Sequence, residues 1–141
     1  MRNCKGEVST ALVAAIKAAI TGMKVRTKLN DFDASDNTAY PYIHISDVYQ
    51  TENGPKNYHS YDLEVLINVV YKDITDLAAL YSAQNSVLGL FNIPQSLTLT
   101  NNFKVQETIL VSSTDTEIKT DTGTLNIGLI RIRFTIEDLT I

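Results

Sequence analysis

The segment Tyr61-Asp-Leu-Glu-Val-Leu-Ile-Asn-Val-Val-Tyr71 decides the fold of this chain. Apolar or aromatic residues occupy every second position and form one unbroken face: Tyr61, Leu63, Val65, Ile67, Val69 and Tyr71. A period of two is typical of a β-strand. The other face is charged at its start and carries Leu66 and Val70 further on. The pattern therefore predicts a strand that runs into the centre of a sheet.

Two further strands are predicted before this segment. Met23–Leu29 alternates apolar with basic residues, which indicates a short, half-exposed strand. A polar, acidic loop over Asn30–Ala39 leads to the second strand, Ile43–Tyr49. The turn-forming residues of Glu52–Asn57 then connect that strand to Tyr61–Tyr71, and the two strands are expected to form an antiparallel hairpin.

Two helices are predicted from apolar residues that recur every three or four positions. The first covers Glu7–Thr21, and Gly22 follows where a helix end commonly turns left-handed. Its apolar stripe consists of Val8, Leu12, Ile16, Ile20 and Met23. The second helix covers Ile74–Phe91, with Asp73 as its N-terminal cap.

The rest of the chain is predicted to be β-structure. A short strand over Ser96–Thr100 ends at the Asn101-Asn102 turn, and a turn at Asp121–Gly123 joins two long strands, Phe103–Lys119 and Leu125–Glu137. The order α-β-β-β-α-β-β-β predicts an α+β fold: a mainly antiparallel β-sheet with two packed helices and a long C-terminal β-hairpin. With 141 residues the chain has the length of one domain, so residues 1–141 are expected to form a single domain.

Composition limits the classes of partner. Twelve Lys and Arg residues against sixteen Asp and Glu give a net charge of −4, which argues against a dedicated nucleic-acid binder and against docking on an anionic membrane. The single cysteine, Cys4, cannot form an internal disulfide, which suits a reducing compartment, and we expect it to be an incidental thiol near a frayed terminus. No apolar run reaches the length of a membrane span.

Motifs for catalysis and metal binding are weak. The sequence lacks the glycine-rich dinucleotide and phosphate motifs and the G-x-S-x-G nucleophile motif. His44 and His59 lack the spacing and the cysteine partners of a zinc site. Asp31-Phe-Asp33-Ala-Ser35 imitates the start of a calcium loop, but Tyr42 stands where the bidentate glutamate belongs. We therefore expect no cofactor, no metal and no enzymatic activity.

The final hairpin is the first of two features that indicate a contact surface. Its strands are longer than the usual five to six residues, so we expect it to project several residues beyond the sheet. The projecting part, Ser112–Thr124, is polar and rich in threonine. Such a segment has few contacts within its own domain and is expected to find them on a neighbouring subunit.

The second feature is a group of tyrosines near the first hairpin: Tyr40, Tyr42, Tyr49, Tyr58 and Tyr61. Tyrosine is enriched at protein interfaces because it offers apolar area with a polar tip. Core packing explains each of these tyrosines equally well, so both interpretations stay open. From the two features together we select seven candidate interface residues: Tyr49, Tyr58, Thr114, Asp115, Glu117, Lys119 and Asp121.

The order of these elements resembles the tail-completion, or tail-terminator, proteins of tailed bacteriophages. The resemblance covers about Val8 to Asp138. Its markers are Pro41-Tyr42-Ile43-His44-Ile45, the long strand Tyr61–Tyr71, the helix ending Ser86–Phe91 and the closing run Ile130–Ile136. The unusually long, threonine-rich last hairpin departs from the family pattern.

The resemblance implies a structural role without an active site. Such a protein forms a ring, usually a homo-hexamer, that caps the tail tube and joins it to head-completion or neck proteins. Genomic DNA would pass through the lumen without specific binding, and the protein would be located in the tail-neck region of the virion after assembly in the cytoplasm of the host bacterium. The alternatives are a different neck or connector ring, a non-enzymatic α+β adaptor that binds a soluble protein, and a small enzyme.

Overall fold

The computed structural model of the protein describes residues 2–27, 40–53, 60–91 and 97–140, with the backbone alone at residues 47 and 53. The elements follow each other along the chain as α1 (Lys5–Ala19), β1 (Lys24–Arg26), β2 (Tyr42–Asn53), β3 (Ser60–Lys72), α2 (Ala78–Gly89), β4 (Phe103–Thr120) and β5 (Gly123–Asp138). The acidic segment with Asp31, Asp33 and Ser35, together with Tyr58 and His59, lies outside the described residues.

The five described strands form one sheet in the order β1-β2-β3-β5-β4. Strand β1 runs parallel to β2, and all other neighbours are antiparallel. The α+β fold, the first hairpin (β2–β3) and the long C-terminal hairpin (β4–β5) are therefore confirmed. Strand β3 has two strands on either side and occupies the centre of the sheet, as its alternating pattern predicts.

The core lies on one face of the sheet. In the antiparallel β3–β5 pair, Leu63 faces Phe134 and Ile67 faces Ile130. These side chains, together with Val65 and Ile132, are at most 1% exposed. Residues of both helices join the same buried cluster, so α1 and α2 cover the same face. Burial of each such side chain stabilises the fold by about 1.5–3 kcal/mol.

Helix α1 has the predicted stripe but different ends. Val8, Leu12 and Ile16 are fully buried against the sheet. The helix begins at Lys5 rather than Glu7 and ends at Ala19, because Ile20 is already extended. Gly22, with a φ of +85°, shapes the turn into β1 instead of ending the helix.

The predicted start of α2 is wrong. Asp73 is not a helix cap: its backbone N–H donates to the Thr124 carbonyl at 2.9 Å, and its Oδ1 accepts from the Thr124 N–H at 2.8 Å. This pairing holds Asp73 at a φ of +55°, so the helix begins only at Ala78. Asp76 Oδ1 accepts from the Ala78 N–H at 2.9 Å and satisfies one of the free amides there.

The segments after α2 also differ from the prediction. The helix ends at Gly89, and Leu90 and Phe91 continue as a tighter turn with bonds to the carbonyls three residues back. Residues 97–100, the described part of the predicted strand Ser96–Thr100, pair with no strand among the described residues. Leu97 is buried in the core without belonging to the sheet. The Asn101-Asn102 turn is confirmed, with both residues in the left-handed region.

The N-terminal segment is held in place rather than frayed. The Arg2 guanidinium binds Asp138 through two hydrogen bonds of 2.8 and 2.6 Å and stacks on the Phe103 ring at 4.2 Å. The Cys4 amide donates to Gln50 Oε1 at 3.0 Å, and Cys4 is fully buried. Burial raises the pKa of the Cys4 thiol to about 11. Cys4 is thus an unreactive part of the core, which corrects the expectation of a thiol at a mobile end.

Candidate interaction surface

Strand β4 is the most exposed long element among the described residues. From Gln106 to Thr120 every residue except Thr108 is exposed. Strand β5 is its one neighbour in the described sheet, so the other edge of β4 carries backbone N–H and C=O groups that no described strand pairs. Long edges of this kind are sites at which another strand can add to a sheet.

The register corrects the expectation that the hairpin projects far beyond the sheet. Strand β5 pairs with β3 from Leu125 to Glu137, and Leu125 lies opposite Lys72, the last residue of β3. On its other side β5 pairs with β4, so that Ile118 lies opposite Leu125. Only the turn beyond these residues extends past β3. Most of Ser112–Thr124 is therefore an edge of the sheet, because β3 is also long.

The hairpin turn is fixed by contacts with the end of β3. The two Asp73–Thr124 hydrogen bonds join the turn to the chain that leaves β3. Gly123 has a φ of +148°, and a Cβ there would lie 2.6 Å from Asp73 Oδ1, so glycine is required. Thr120 Oγ1 donates to the Gly123 carbonyl at 2.7 Å. This end of the hairpin is therefore ordered by specific polar contacts.

A glutamine holds the middle of the edge strand. Gln84 of α2 is 6% exposed, and its Nε2 donates to the Thr114 carbonyl at 3.3 Å. Its side chain lies directly over Gly128 of β5, where a Cβ would come within 2.4 Å of Nε2. Gly128 thus provides the space through which Gln84 reaches from the helix to β4. Sequence reasoning missed both residues, although a glycine inside a strand often indicates a close approach.

The predicted interface residues of the hairpin lie on two faces. Opposite residues of an antiparallel pair share a face. Asp115 and Glu117 lie opposite Gly128 and Asn126, so they are on the face that carries the helices, as is Lys119 opposite Thr124. Thr114 lies opposite Leu129 on the other face, here called the open face, on which no described helix packs. Asp121 is in the turn.

Glu117 borders an acidic groove. The groove has a volume of about 490 Å³ and lies between the chain that leads into α2 and the end of the hairpin. Asp73 and Asp76 line it with Glu117, and Thr124 and Asn126 contribute further polar groups. Three carboxylates thus lie close together at this end of the sheet, and that of Asp73 accepts a hydrogen bond from the Thr124 N–H.

Tyr49 lies far from the hairpin. It is 62% exposed on the open face of β2, and the register places Glu64, Arg133 and Ile109 in the same row across β3, β5 and β4. The structure therefore does not bring Tyr49 together with Asp115 or Glu117. Among the other tyrosines, Tyr61 is 1% exposed and belongs to the core. Tyr42 is 6% exposed, but it lies opposite Val70 on the open face and outside the core cluster. Tyr58 lies outside the described residues.

An exposed apolar segment of β4 was not selected from the sequence. Ile109, Leu110 and Val111 are 39%, 51% and 41% exposed. A register shift between Leu110 and Ser112 leaves Val111 without a direct partner. Three consecutive apolar residues break the alternation expected of a half-buried strand, and this break is the signal that could have identified them.

The opposite edge of the described sheet, at β1, is basic. Lys17 of α1 and Lys24 and Arg26 of β1 line a cavity of about 590 Å³ at this edge. Ile20, Met23 and Val25 supply apolar surface to the same cavity. The sheet thus has an acidic long edge at β4 and a basic short edge at β1.

The described residues include neither a metal-binding cluster nor a membrane-spanning helix. No group of three or more His, Cys, Asp or Glu side chains in this part of the chain is arranged to hold a metal ion. Neither described helix is long and apolar enough to cross a membrane.

Comparison with known proteins gives a fold but no family. No protein-family model matches the sequence, and a search of curated proteins finds no match. The fold is similar to a chain in the virion of a native gene transfer agent particle, with a TM-score of 0.74 and 13% identity over 97% of this chain and 99% of that chain. It is also similar to the gp17 protein of bacteriophage SPP1, with a TM-score of 0.51 and 18% identity over 98% of this chain and 94% of that chain.

Proposed function

We propose that this protein is a structural component of the tail or neck of a phage-like particle. The observation that carries the proposal is the full-length similarity to a chain of a gene transfer agent virion, with a TM-score of 0.74. The similarity to a bacteriophage protein over 98% of the chain supports it. In its specific form, the protein is one domain that forms a ring, caps the tail tube and joins it to the head or neck connector.

The proposed ring is a homo-hexamer. A closed ring needs a heterologous contact, in which one patch on each subunit meets a different patch on the next. The exposed hairpin residues Thr114, Asp115, Glu117, Lys119 and Asp121 form one such patch, and Tyr49 and Tyr58 are proposed for a separate contact with a neighbour or with the tail tube protein. The described members of both groups are exposed, as a contact surface requires.

The role is non-enzymatic and needs no cofactor. Carboxylates that act as general acids or bases are usually partly buried beside a perturbing group, whereas Asp115, Glu117 and Asp121 are exposed. A net charge of −4 suits a lumen through which DNA moves without being held. The protein assembles in the host cytoplasm and ends in the tail-neck region of the virion.

Electron microscopy of particles tests the proposal. In a producing strain without this gene, we expect heads and tails to accumulate unjoined or tails of abnormal length, and the intact gene supplied in trans should restore normal particles. Normal particles from the strain without the gene would overturn the proposed function.

A variant series tests the hairpin patch separately. The triple substitution Asp115→Asn, Glu117→Gln and Asp121→Asn removes three exposed charges and is expected to keep the fold while failing to restore particles. Glu52→Gln, which removes an exposed carboxylate of β2, is the matched control and should restore them. Full restoration by the triple variant would remove the hairpin carboxylates from the contact.

A further inference from the structure

We propose that the two edges of the sheet bind each other between copies of this chain: the outer edge of β4 pairs with β1 of the next subunit. This inference rests on the proposed ring and specifies the contact that closes it. The partner is therefore a second copy of the chain. The sheet continues from one subunit to the next, in the manner of strand addition.

The first argument is that the β4 edge needs an occupant. It is long, its residues from Ser112 to Thr120 are all exposed, and the run Ile109–Val111 adds apolar surface to it. Soluble proteins usually protect such edges with a covering element, with β-bulges, with proline or with several lysines. The two register shifts of β4 lie before Ser112, so the stretch Ser112–Thr120 has no bulge and no proline, and Lys119 is its only lysine.

The second argument is charge complementarity between the two edges. The outer half of β4 and its turn carry three carboxylates, Asp115, Glu117 and Asp121, against the single ammonium of Lys119. Beside its cavity the β1 edge carries two lysines: Lys17 of α1 on the helix face and Lys24 of β1 on the open face. Two β4 edges would repel each other, whereas β4 against β1 is attractive, and complementary potentials select the partner and the orientation.

The third argument concerns which face each charge occupies. When a sheet continues between subunits with the helices on the same side, helix-face residues of one copy meet helix-face residues of the next. Asp115 and Glu117 lie on the helix face of β4. Lys17 belongs to α1, which covers the same face of the sheet, and it is exposed beside β1. The arrangement therefore brings Glu117 or Asp115 of one copy close to Lys17 of the next.

Strands β1 and β4 also differ in a way that makes the contact directional. Strand β1 has three residues and β4 has eighteen. A β1–β4 contact joins two different patches, so each subunit keeps a free edge for the next one, as a ring requires. A β4–β4 contact would join identical patches and would stop at a dimer.

Disulfide cross-linking of the whole purified chain tests the pairing. Lys24 and Thr116 are exposed and share the open face, since Lys24 lies opposite Tyr42 and Thr116 opposite Ile127. We would combine Lys24→Cys in turn with Thr114→Cys, Thr116→Cys or Ile118→Cys, which scans the register on that face. The native thiol of Cys4 does not interfere, because it is buried and its pKa is raised to about 11.

The expected result is a ladder of covalent oligomers from at least one of the three pairs under mild oxidation. Its yield should exceed that of the matched control, Lys24→Cys with Tyr81→Cys on the exposed side of α2, by about tenfold or more. A control-level yield from all three pairs over a concentration series would overturn the inference. A covalent dimer from Thr116→Cys alone would also overturn it, because it would indicate β4–β4 pairing.

A charge exchange gives an independent readout. Lys17→Glu and Glu117→Lys should each lower the cross-linking yield roughly tenfold, and the two together should restore it, because like charges across an interface are unfavourable. If each single variant lowers the cross-linking yield and the double variant does not restore it, Lys17 and Glu117 are not in contact across the interface. Failure of this contact and failure of the proposed function give different results. Rings on tails without the cross-links would refute the β1–β4 contact alone. A ladder of cross-linked oligomers, together with normal particles from the strain without the gene, would refute the proposed function alone.

Discussion

Strands β4 and β5 are neighbours of similar length, eighteen and sixteen residues, yet they lie in opposite environments. In β5 every second residue from Asn126 to Asp138 is buried. In β4 buried residues occur only at Phe103 and Val105. The difference shows that a high content of β-forming residues makes a strand, whereas regular apolar alternation decides whether it enters the core. In this chain β5 stabilises the fold, and β4 is available for contacts with other molecules.

The largest effect is expected in the centre of the sheet. Ile67→Ala removes a fully buried side chain of β3 that faces Ile130 of β5, and the cavity should lower the free energy of unfolding by about 2–5 kcal/mol. Chemical denaturation measures this change. The control is Ile118→Ala in β4, whose side chain is 45% exposed, and it should change stability by no more than about 0.5 kcal/mol. Equal losses in the two variants would contradict the contrast between the strands.

An intermediate effect is expected where the core meets the edge strand. Gly128→Ala places a Cβ within 2.4 Å of Gln84 Nε2, and because Gln84 is buried the crowding should cost about 1–3 kcal/mol. Adding Gln84→Ala should recover part of this loss, since it removes the group that the new methyl contacts. A double-mutant cycle by urea unfolding measures the coupling. Additive effects of the two substitutions would show that Gln84 does not depend on the space at Gly128.

The smallest effect is expected at the far end of β5 and appears in the pH dependence. Hydrogen bonds from the Arg2 guanidinium hold the pKa of Asp138 well below its usual 3.8. A carboxyl group with a depressed pKa contributes stability that is present above its ordinary pKa and is lost as the pH falls toward the folded-state value. Solvent reduces the effect, because the Arg2 side chain is 37% exposed.

The corresponding variant is Asp138→Asn. The wild type should lose more stability between pH 7 and pH 3 than Asp138→Asn, because the variant has no carboxylate to protonate at this position. Urea unfolding midpoints at the two pH values measure the difference. The same acid dependence in both proteins would mean that other carboxylates account for it.

The parts of the fold that were predictable are those in which local pattern and tertiary environment agree. The alternation of Tyr61–Tyr71 identified the central strand, and the stripe through Val8, Leu12 and Ile16 identified the buried side of α1. In both cases the contact between helices and sheet supplies the burial that the pattern requires: the helices cover the apolar face of β3, and the sheet covers the stripe of α1. The two long final strands followed from composition and from the turn at Gly123.

The predictions were wrong where a residue distant in sequence binds a polar group that the local sequence assigns to another role. Asp73 has the sequence context of a helix cap, but the Thr124 backbone, fifty-one residues away in sequence, binds both its carboxylate and its amide. The extent of the hairpin beyond the sheet was misjudged for a related reason. Strand length is local, whereas projection depends on where β3 ends, and the register Lys72–Leu125 cannot be read from either strand alone.

The candidate site was only partly accessible from the sequence. Composition drew attention to Asp115 and Glu117, which the structure places on an exposed edge. It gave no way to relate Tyr49 to them, since their separation depends on the strand order β2-β3-β5-β4. The sequence indicated the basic side of β1, but it did not show that Lys17 lies beside it, because Lys17 and Lys24 belong to different elements that line one cavity only in the folded chain.

The ion pair between Arg2 and Asp138 has a practical consequence for imaging. It places the beginning of the described chain beside the last residue of β5, whereas Gly123 starts that strand at its opposite end. Sixteen extended residues span roughly 50 Å. A gold or fluorescent label near Arg2 and another inserted at Thr122 would therefore mark opposite poles of one subunit. Their relative positions in electron micrographs of an assembled particle would report its polarity.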